Sequence, residues 1–243
     1  HFSDLHIGSW VGNEIKLKEA VNLINAQKPD LILFTGDLIN NFVEELDDFT
    51  SILKQLRAKY GIYSVLGNHD YGDYFDWNTE EERIQNLENL KKANNDLGFH
   101  LLLNDSAILK KKHSKIGIIG VENWGLPPFH QNGDLQKALD TLSEPSDFNI
   151  LLSHDPSHWK QKVLKRDDID LTLSGHTHGM QFGIYTRKLK WSPAKWKYPE
   201  WGGLYEKDKR KLYVSTGLGF IGFPGRIGVR PRITLLELRN TTN

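Results

Sequence analysis

The sequence predicts an α/β fold, and three observations predict it. Four short, largely apolar runs, at 31–34, 62–66, 148–152 and 171–174, have the length and continuity of strands buried on both faces. Each ends in polar side chains suited to chemistry: Gly36-Asp37, Gly67-Asn68-His69-Asp70, Ser153-His154 and Gly175-His176-Thr177-His178. Between them lie segments with helical periodicity, such as Ile15, Leu17, Val21, Leu23 and Ile24. In open α/β sheets ligands sit beyond the carboxyl ends of the strands, where these polar clusters fall.

Composition narrows the function. The chain has 243 residues, 38% of them hydrophobic, enough for one large core, and a single domain over 1–243 is expected. Its 31 Lys and Arg balance 31 Asp and Glu, so no overall field draws it to nucleic acid, which is not favoured as a partner. There is no cysteine, hence no disulfide frame and no thiolate site, in keeping with a reducing compartment. Any metal must be held by His, Asp, Asn and water. No run approaches the ~18 apolar residues of a membrane span. His1-Phe-Ser-Asp-Leu-His6 reads as the end of a strand, so an upstream strand is expected outside this stretch, with room there for a signal or membrane anchor.

In chain order, Asp4 and His6 lie two apart and fall on one side of an extended segment. A helix is expected over Asn13–Gln27, ending before Pro29, then the first apolar strand, then a helix over Phe42–Lys59. The second strand leads to Asn68, His69 and Asp70, residues that equally suit a tight turn. A charged helix over Thr79–Asp96 takes its cap from Asn78 or Thr79. Strands at Phe99–Leu103, Ala107–Leu109 and Ile116–Val121 open a second sheet. The lysine cluster Lys110–Lys115 between them reads as an exposed hairpin turn or as a phosphate-facing patch. A loop (122–134), a short helix (134–142), the strand ending at His154 and a helix opened by Pro156 follow. Residues Trp191–Trp201 are rich in Trp, Tyr and Lys, which suits a loop packed on the sheet edge, a lid over the substrate or a membrane-facing patch. Closing strands are expected at Lys211–Gly217 and Arg232–Arg239. The glycine-rich 217–228 loop supplies turns or places Arg226 on a phosphate. His1, His100, His113, His130 and His158 have no partner pattern.

Two histidines two apart at a strand end, as in His176 and His178, form a metal-ligand pattern. Read together, Ser3-Asp-Leu-His6, Thr35-Gly-Asp37, Leu66-Gly-Asn-His-Asp70, His154, Ser174-Gly-His-Thr-His-Gly179 and Gly217-Leu-Gly219 resemble the calcineurin-like metallophosphoesterase superfamily. The resemblance runs over essentially the whole chain and is closest to a bacterial phosphodiesterase-like branch. It implies a four-layer α-β-β-α sandwich of two mixed sheets flanked by helices. It further implies two divalent metals, the first held by Asp4, His6, Asp37 and His178, the second by Asp37, Asn68, His154 and His176, with Asp37 bridging. Such a nitrogen and oxygen field suits Mn, Fe, Zn or Ni, with Mn favoured. A bridging hydroxide would attack a phosphodiester or pyrophosphate in line. His69 would serve the leaving oxygen, and Asp70 would fix the tautomer of His69.

The expected substrate is a small-molecule or lipid-linked phosphate ester, such as UDP-2,3-diacylglucosamine, which some members of the wider group hydrolyse. The expected location is cytoplasmic or membrane-associated in a bacterium. Where relatives carry a second glycine after the Gly-His-Thr-His-Gly block, this chain has Met180, whose side chain narrows the pocket or meets an apolar substrate group. A catalytically silent binding module of the same fold is the alternative reading. A nuclease is a weaker third, because no basic track is visible.

Overall fold

Alternation along each buried strand sends neighbouring side chains into different layers. In the computed structural model, which describes residues 1–111, 114–186 and 188–239, this rule builds the molecule. Strands β1 (Ile32–Phe34), β2 (Ile62–Ser64) and β3 (Phe99–Leu101) pair in parallel in that order. Phe2 bridges to Phe34 in parallel on the other side of β1. Strands β4 (Asp105–Lys111), β5 (Ser114–Gly120), β6 (Phe148–Leu152) and β7 (Leu171–Ser174) belong to a second sheet. Strands β8 (Ile184–Tyr185) and β9 (Lys190–Trp191) form a separate hairpin. With β10 (Gly203–Lys207) and β11 (Arg210–Val214), the second sheet runs β4-β5-β6-β7-β11-β10, antiparallel at both edges and parallel within.

Three apolar clusters define four layers. Ile32, Phe34, Ile62 and Phe99 face outward onto Leu17, Val21 and Ile24 of helix α1 (Glu14–Ala26), the short α2 (Thr50–Leu53), and Leu90 of α3 (Glu80–Asp96). Leu33, Tyr63 and Val65 face inward, against Ile118, Ile150, Leu152, Leu171 and Leu173 of the larger sheet. That sheet's other face carries Ile119, Leu151, Leu212 and Val214 against Leu135 and Ala138 of α4 (Leu135–Asp140) and Trp159 of α5 (Ser157–Gln161). The order is helix, sheet, sheet, helix, as the family resemblance implies, although Phe99–Leu101, expected to open the second sheet, closes the first by pairing with β2. Each large side chain so buried contributes about 1.5–3 kcal/mol.

Several expectations change. The helix expected over Phe42–Lys59 is broken into a 3₁₀ turn at Val43–Leu46 and the single turn of α2. Glu45 caps the first of these turns: its carboxylate accepts the amides of Asn40, Asn41 and Phe42 at 2.7, 2.8 and 2.9 Å, and that of Gly8 at 3.1 Å. These bonds fix the loop at residues 40–42 that leads into the turn. Arg232–Arg239 is not a strand: its backbone bonds are an exchange with His1 at Thr234, where both are 2.9 Å, and the Arg232 amide on Gly217 O at 3.0 Å. Among the described lysines of the cluster, Lys110 and Lys115 pair with Glu144 and Lys111 with Asp30; Lys112 and His113 lie outside the described residues. Asp30 precedes β1, at the end opposite the polar clusters, so the phosphate-facing reading fails. Helix α3 starts as expected, with Thr79 Oγ1 accepting the Glu82 amide at 3.2 Å. Among the described residues no helix is long and apolar enough to cross a membrane.

Candidate metal centre

Because β1, β2, β6 and β7 are parallel within their sheets, their carboxyl ends deliver Asp37, Asn68, His154, His176 and His178 to one edge. Residues Asp4 and His6 reach the same edge beside β1, with the Asp4 amide on Gly36 O at 2.9 Å and the His6 amide on Asp37 O at 3.1 Å. The backbone there is unusual. Asp4, His6, Asp37, His176 and His178 all adopt positive φ, between 45° and 70°, a left-handed conformation that costs a residue with a Cβ about 1–2 kcal/mol. Strain at five polar residues in one cleft marks a functional site. Two glycines provide the room: a Cβ on Gly67 would run into Asp37 Oδ1 and His154, and one on Gly175 into Ser3 and Asp4.

Ligand-type atoms of Asp4, His6, Asp37 and His178 lie within 4.8 Å of one another, and all four residues are buried. His6 Nε2 is 3.0 Å from His178 Nε2 and 3.4 Å from Asp37 Oδ2, while His178 Nε2 is 3.4 Å from Asp4 Oδ1. On the other side, Asn68 Oδ1 lies 3.2 Å from His154 Nε2 and 2.7 Å from His176 Nδ1. His154 Nε2 is in turn 3.2 Å from Asp37 Oδ2. One carboxylate oxygen therefore stands between the two groups.

Residues 1–180 match the family described as calcineurin-like phosphoesterase. The chain belongs to that family. It is 33% identical over 245 residues to "Transmembrane protein with metallophosphoesterase domain" of Bos taurus, covering 98% of this chain and 52% of that protein, so it spans about half of that relative. It is 32% identical over 246 residues to "Uncharacterized metallophosphoesterase YkuE" of Bacillus subtilis, covering 99% of this chain and 78% of the relative. Among solved structures, TT1561 of Thermus thermophilus shares the fold with a TM-score of 0.51 at 13% identity, over 89% of this chain and 88% of that one.

The donor set of this calcineurin-like phosphoesterase fits divalent metal. His6 Nε2 and His178 Nε2 converge at 3.0 Å with Asp37 Oδ2 and Asp4 Oδ1 each 3.4 Å from one of them, and Asp4 Oδ2 is buried without a hydrogen-bond partner. A cation satisfies such converging lone pairs. Burial pushes His6 down to about 3, His176 down to about 4 and His178 well below the ordinary imidazole value, so all three present neutral nitrogens. At His154, burial pushes the same way, but the charge and hydrogen bond of Asp37 outweigh it and lift the imidazole to about 10. That proton occupies a place metal would take. His154 Nδ1 meets Thr35 O at 2.7 Å, which fixes Nε2 toward Asp37.

His69 sits at the rim. Its amide donates to Asp37 Oδ1 at 2.9 Å, its Nδ1 lies 2.9 Å from Asn40 O, and its ring stacks on Tyr74 at 4.3 Å. With Nδ1–H donated to a carbonyl, Nε2 is the atom free for proton transfer. The expected partnership with Asp70 does not form. Asp70 instead accepts the amides of Asp37, Leu38, Ile39 and Gly67 at 2.9, 2.8, 3.3 and 2.8 Å. Its carboxylate thus pins together the loops after β1 and β2, and Asn40 orients His69.

Three residues at the centre, Tyr74, Tyr198 and Asp155, escaped the sequence reading. Tyr74 receives Asn68 Nδ2 at 2.8 Å. Tyr198, from the aromatic segment, meets His176 Nε2 at 2.7 Å, and its hydroxyl donates to Asp155 Oδ2 at 3.5 Å. A tyrosine beside tryptophans gave no sign of this, although Asp155 directly follows His154. Arg226 stands behind His178, 3.2 Å from Nδ1, and donates to Thr216 O at 2.7 Å and to Gly219 O. His130 pairs with Asp73 at 2.8 Å, and His158 is buried against Ser153 at 2.9 Å. Met180 is 60% exposed beside the site.

Proposed function

We propose that this chain, acting as one domain over 1–243, is a two-metal phosphoesterase that cleaves a phosphodiester or pyrophosphate bond. The observation that carries the reading is Asp37 Oδ2, at 3.4 Å from a histidine of one donor group and 3.2 Å from a histidine of the other. Asp4, His6, Asp37 and His178 would hold one divalent ion, and Asp37, Asn68, His154 and His176 the other. A carboxylate with two oxygens is suited to the shared place. Metals so held supply Lewis acidity toward phosphoryl oxygens and a nucleophilic water near neutral pH. Their nitrogen and oxygen field suits Mn, Fe, Zn or Ni, and Mn is our first choice.

The protein's own groups do the rest. Asn40 and Tyr74 hold the His69 ring so that Nε2 can move a proton to the leaving oxygen, a service worth ~10²–10⁴-fold for a poor leaving group. Asp70 keeps the two loops in register. The side chains beyond the ligands support a substrate with an apolar or aromatic portion: the Phe129 ring meets His176 at 4.8 Å and Tyr198 meets it at 5.1 Å. A lipid-linked or nucleotide-sugar-linked ester, of which UDP-2,3-diacylglucosamine is one example, is the class we favour.

The test is hydrolysis of bis-p-nitrophenyl phosphate by metal-stripped protein with Mn²⁺, Zn²⁺, Ni²⁺ or Mg²⁺ restored. Metal-dependent cleavage that disappears in Asp37→Ala is the expected result. Protein that binds two metals per chain yet cleaves neither this diester nor any lipid- or nucleotide-linked pyrophosphate would instead be a silent binding module.

A further inference from the structure

Six large apolar side chains, Phe182, Ile184, Leu189, Trp196, Phe223 and Ile227, are each between 45% and 74% exposed. They are neighbours in space. Phe182 bridges to Ile227, Gln181 Nε2 donates to Phe223 O at 2.7 Å, and Ile184 pairs across the hairpin with Trp191. The Trp191 ring lies 6.4 Å from both Phe182 and Trp196. Strand alternation explains the arrangement. The opposite face of the hairpin, Tyr185 and Lys190, packs against Trp201 and Tyr205, which leaves Phe182 and Ile184 turned away from the body of the protein.

Charge says what this face suits. Beside these apolar side chains the sequence carries Lys188, Lys195 and Lys197, with Lys190 on the hairpin's other face, against one acid, Glu200, and Glu200 is paired with Lys160 at 2.8 Å. The chain as a whole is neutral, so positive charge is concentrated here. Lysine is depleted from the cores of protein interfaces, and a second copy would set like charges against each other across a twofold axis. Tryptophan and lysine around an apolar patch match the headgroup region of an anionic bilayer, where rings enter the acyl boundary and ammonium groups stay among phosphates. The patch also continues to the metal site: Lys197 Nζ lies 4.8 Å over the Phe129 ring, and Phe129 packs on His176.

We infer that the β8–β9 hairpin, Trp196 and the 223–227 loop form a docking surface for an anionic lipid bilayer, with the metal site opening at its edge. This goes beyond the phosphoesterase reading and stands whether or not that reading holds. Docking would set the cleft at the level of lipid phosphates.

The test is co-sedimentation with vesicles of phosphatidylcholine alone and of phosphatidylcholine mixed with an equal part of phosphatidylglycerol. The wild-type protein should bind the mixed vesicles, release as salt is raised, and bind the neutral ones far less. Phe182→Ser with Trp196→Ser, and separately Lys188→Glu with Lys195→Glu, should each weaken binding by about tenfold or more, at an unchanged melting temperature. None of these residues touches a metal ligand, so the variants report on docking. Three results would overturn the inference: no binding to mixed vesicles, equal binding to both kinds, or folded variants that bind as well as wild type. Self-association of the wild type that the same substitutions abolish would also overturn it, in favour of a second copy as the occupant.

Discussion

At the scale of single residues, burial holds His6, His176 and His178 neutral, and hydrogen bonds from behind aim the imidazoles of the site. Tyr198 and Asp155 are the clearest support, since they fix the far nitrogen of His176. Support of this kind is worth ~10–100-fold in metal affinity, so Tyr198→Phe and Asp155→Asn should weaken one of the two metals by that factor in a chelator competition and leave the other unchanged. In the proposed mechanism His69 serves the leaving group. His69→Ala should therefore slow alkyl phosphodiesters by ~10²–10⁴-fold while barely affecting a p-nitrophenyl ester, whose leaving oxygen needs no proton; equal losses on both would remove it from that role. His154, raised to about 10, carries a proton at neutral pH that metal must displace. Metal uptake at pH 7 should release about one proton per chain, read from the buffer dependence of the binding heat, and affinity should fall as pH is lowered.

Among the elements, the strands matter through where they end. Leu173 lies fully buried between the sheets in the strand that delivers His176 and His178. Leu173→Ala should cost about 2–5 kcal/mol in urea unfolding. Asp70 works at the same scale, because its four amide bonds tie the loop after β1 to the loop after β2; Asp70→Ala should lose about 3 kcal/mol or more of stability. These strand ends were legible in the sequence, since an apolar run, a glycine and a polar cluster encode them locally. So was the capped helix α3. The break after Leu46 was not, because no Pro or Gly marks it anywhere between Phe42 and Lys59. The role of Asp70 was misread because its neighbour in sequence is His69, whereas three of its four amide partners, Asp37, Leu38 and Ile39, belong to another loop. Tyr198 was hidden by distance too, 22 residues from the histidine it touches.

For the whole molecule, the proposed ligands come from five separate segments and from both sheets, so metal bound there would also clamp the layers together. Any ligand that binds only the folded state adds about 2.7 kcal/mol at a hundredfold excess over its Kd. A chelator should therefore lower the melting temperature of the wild-type protein and leave that of Asp37→Ala nearly unmoved. The assembled site was foreshadowed by the order of its motifs, whereas the apolar, basic face beside it was visible in sequence only as an aromatic segment with three readings. The measurement that tests the account most directly is anomalous diffraction from crystals loaded with Mn²⁺. The account predicts two peaks about 3.5–4 Å apart, one among Asp4, His6 and His178, one among Asn68, His154 and His176, with the Asp37 carboxylate shared. A single peak, or two with Asp37 bound to only one of them, would contradict it.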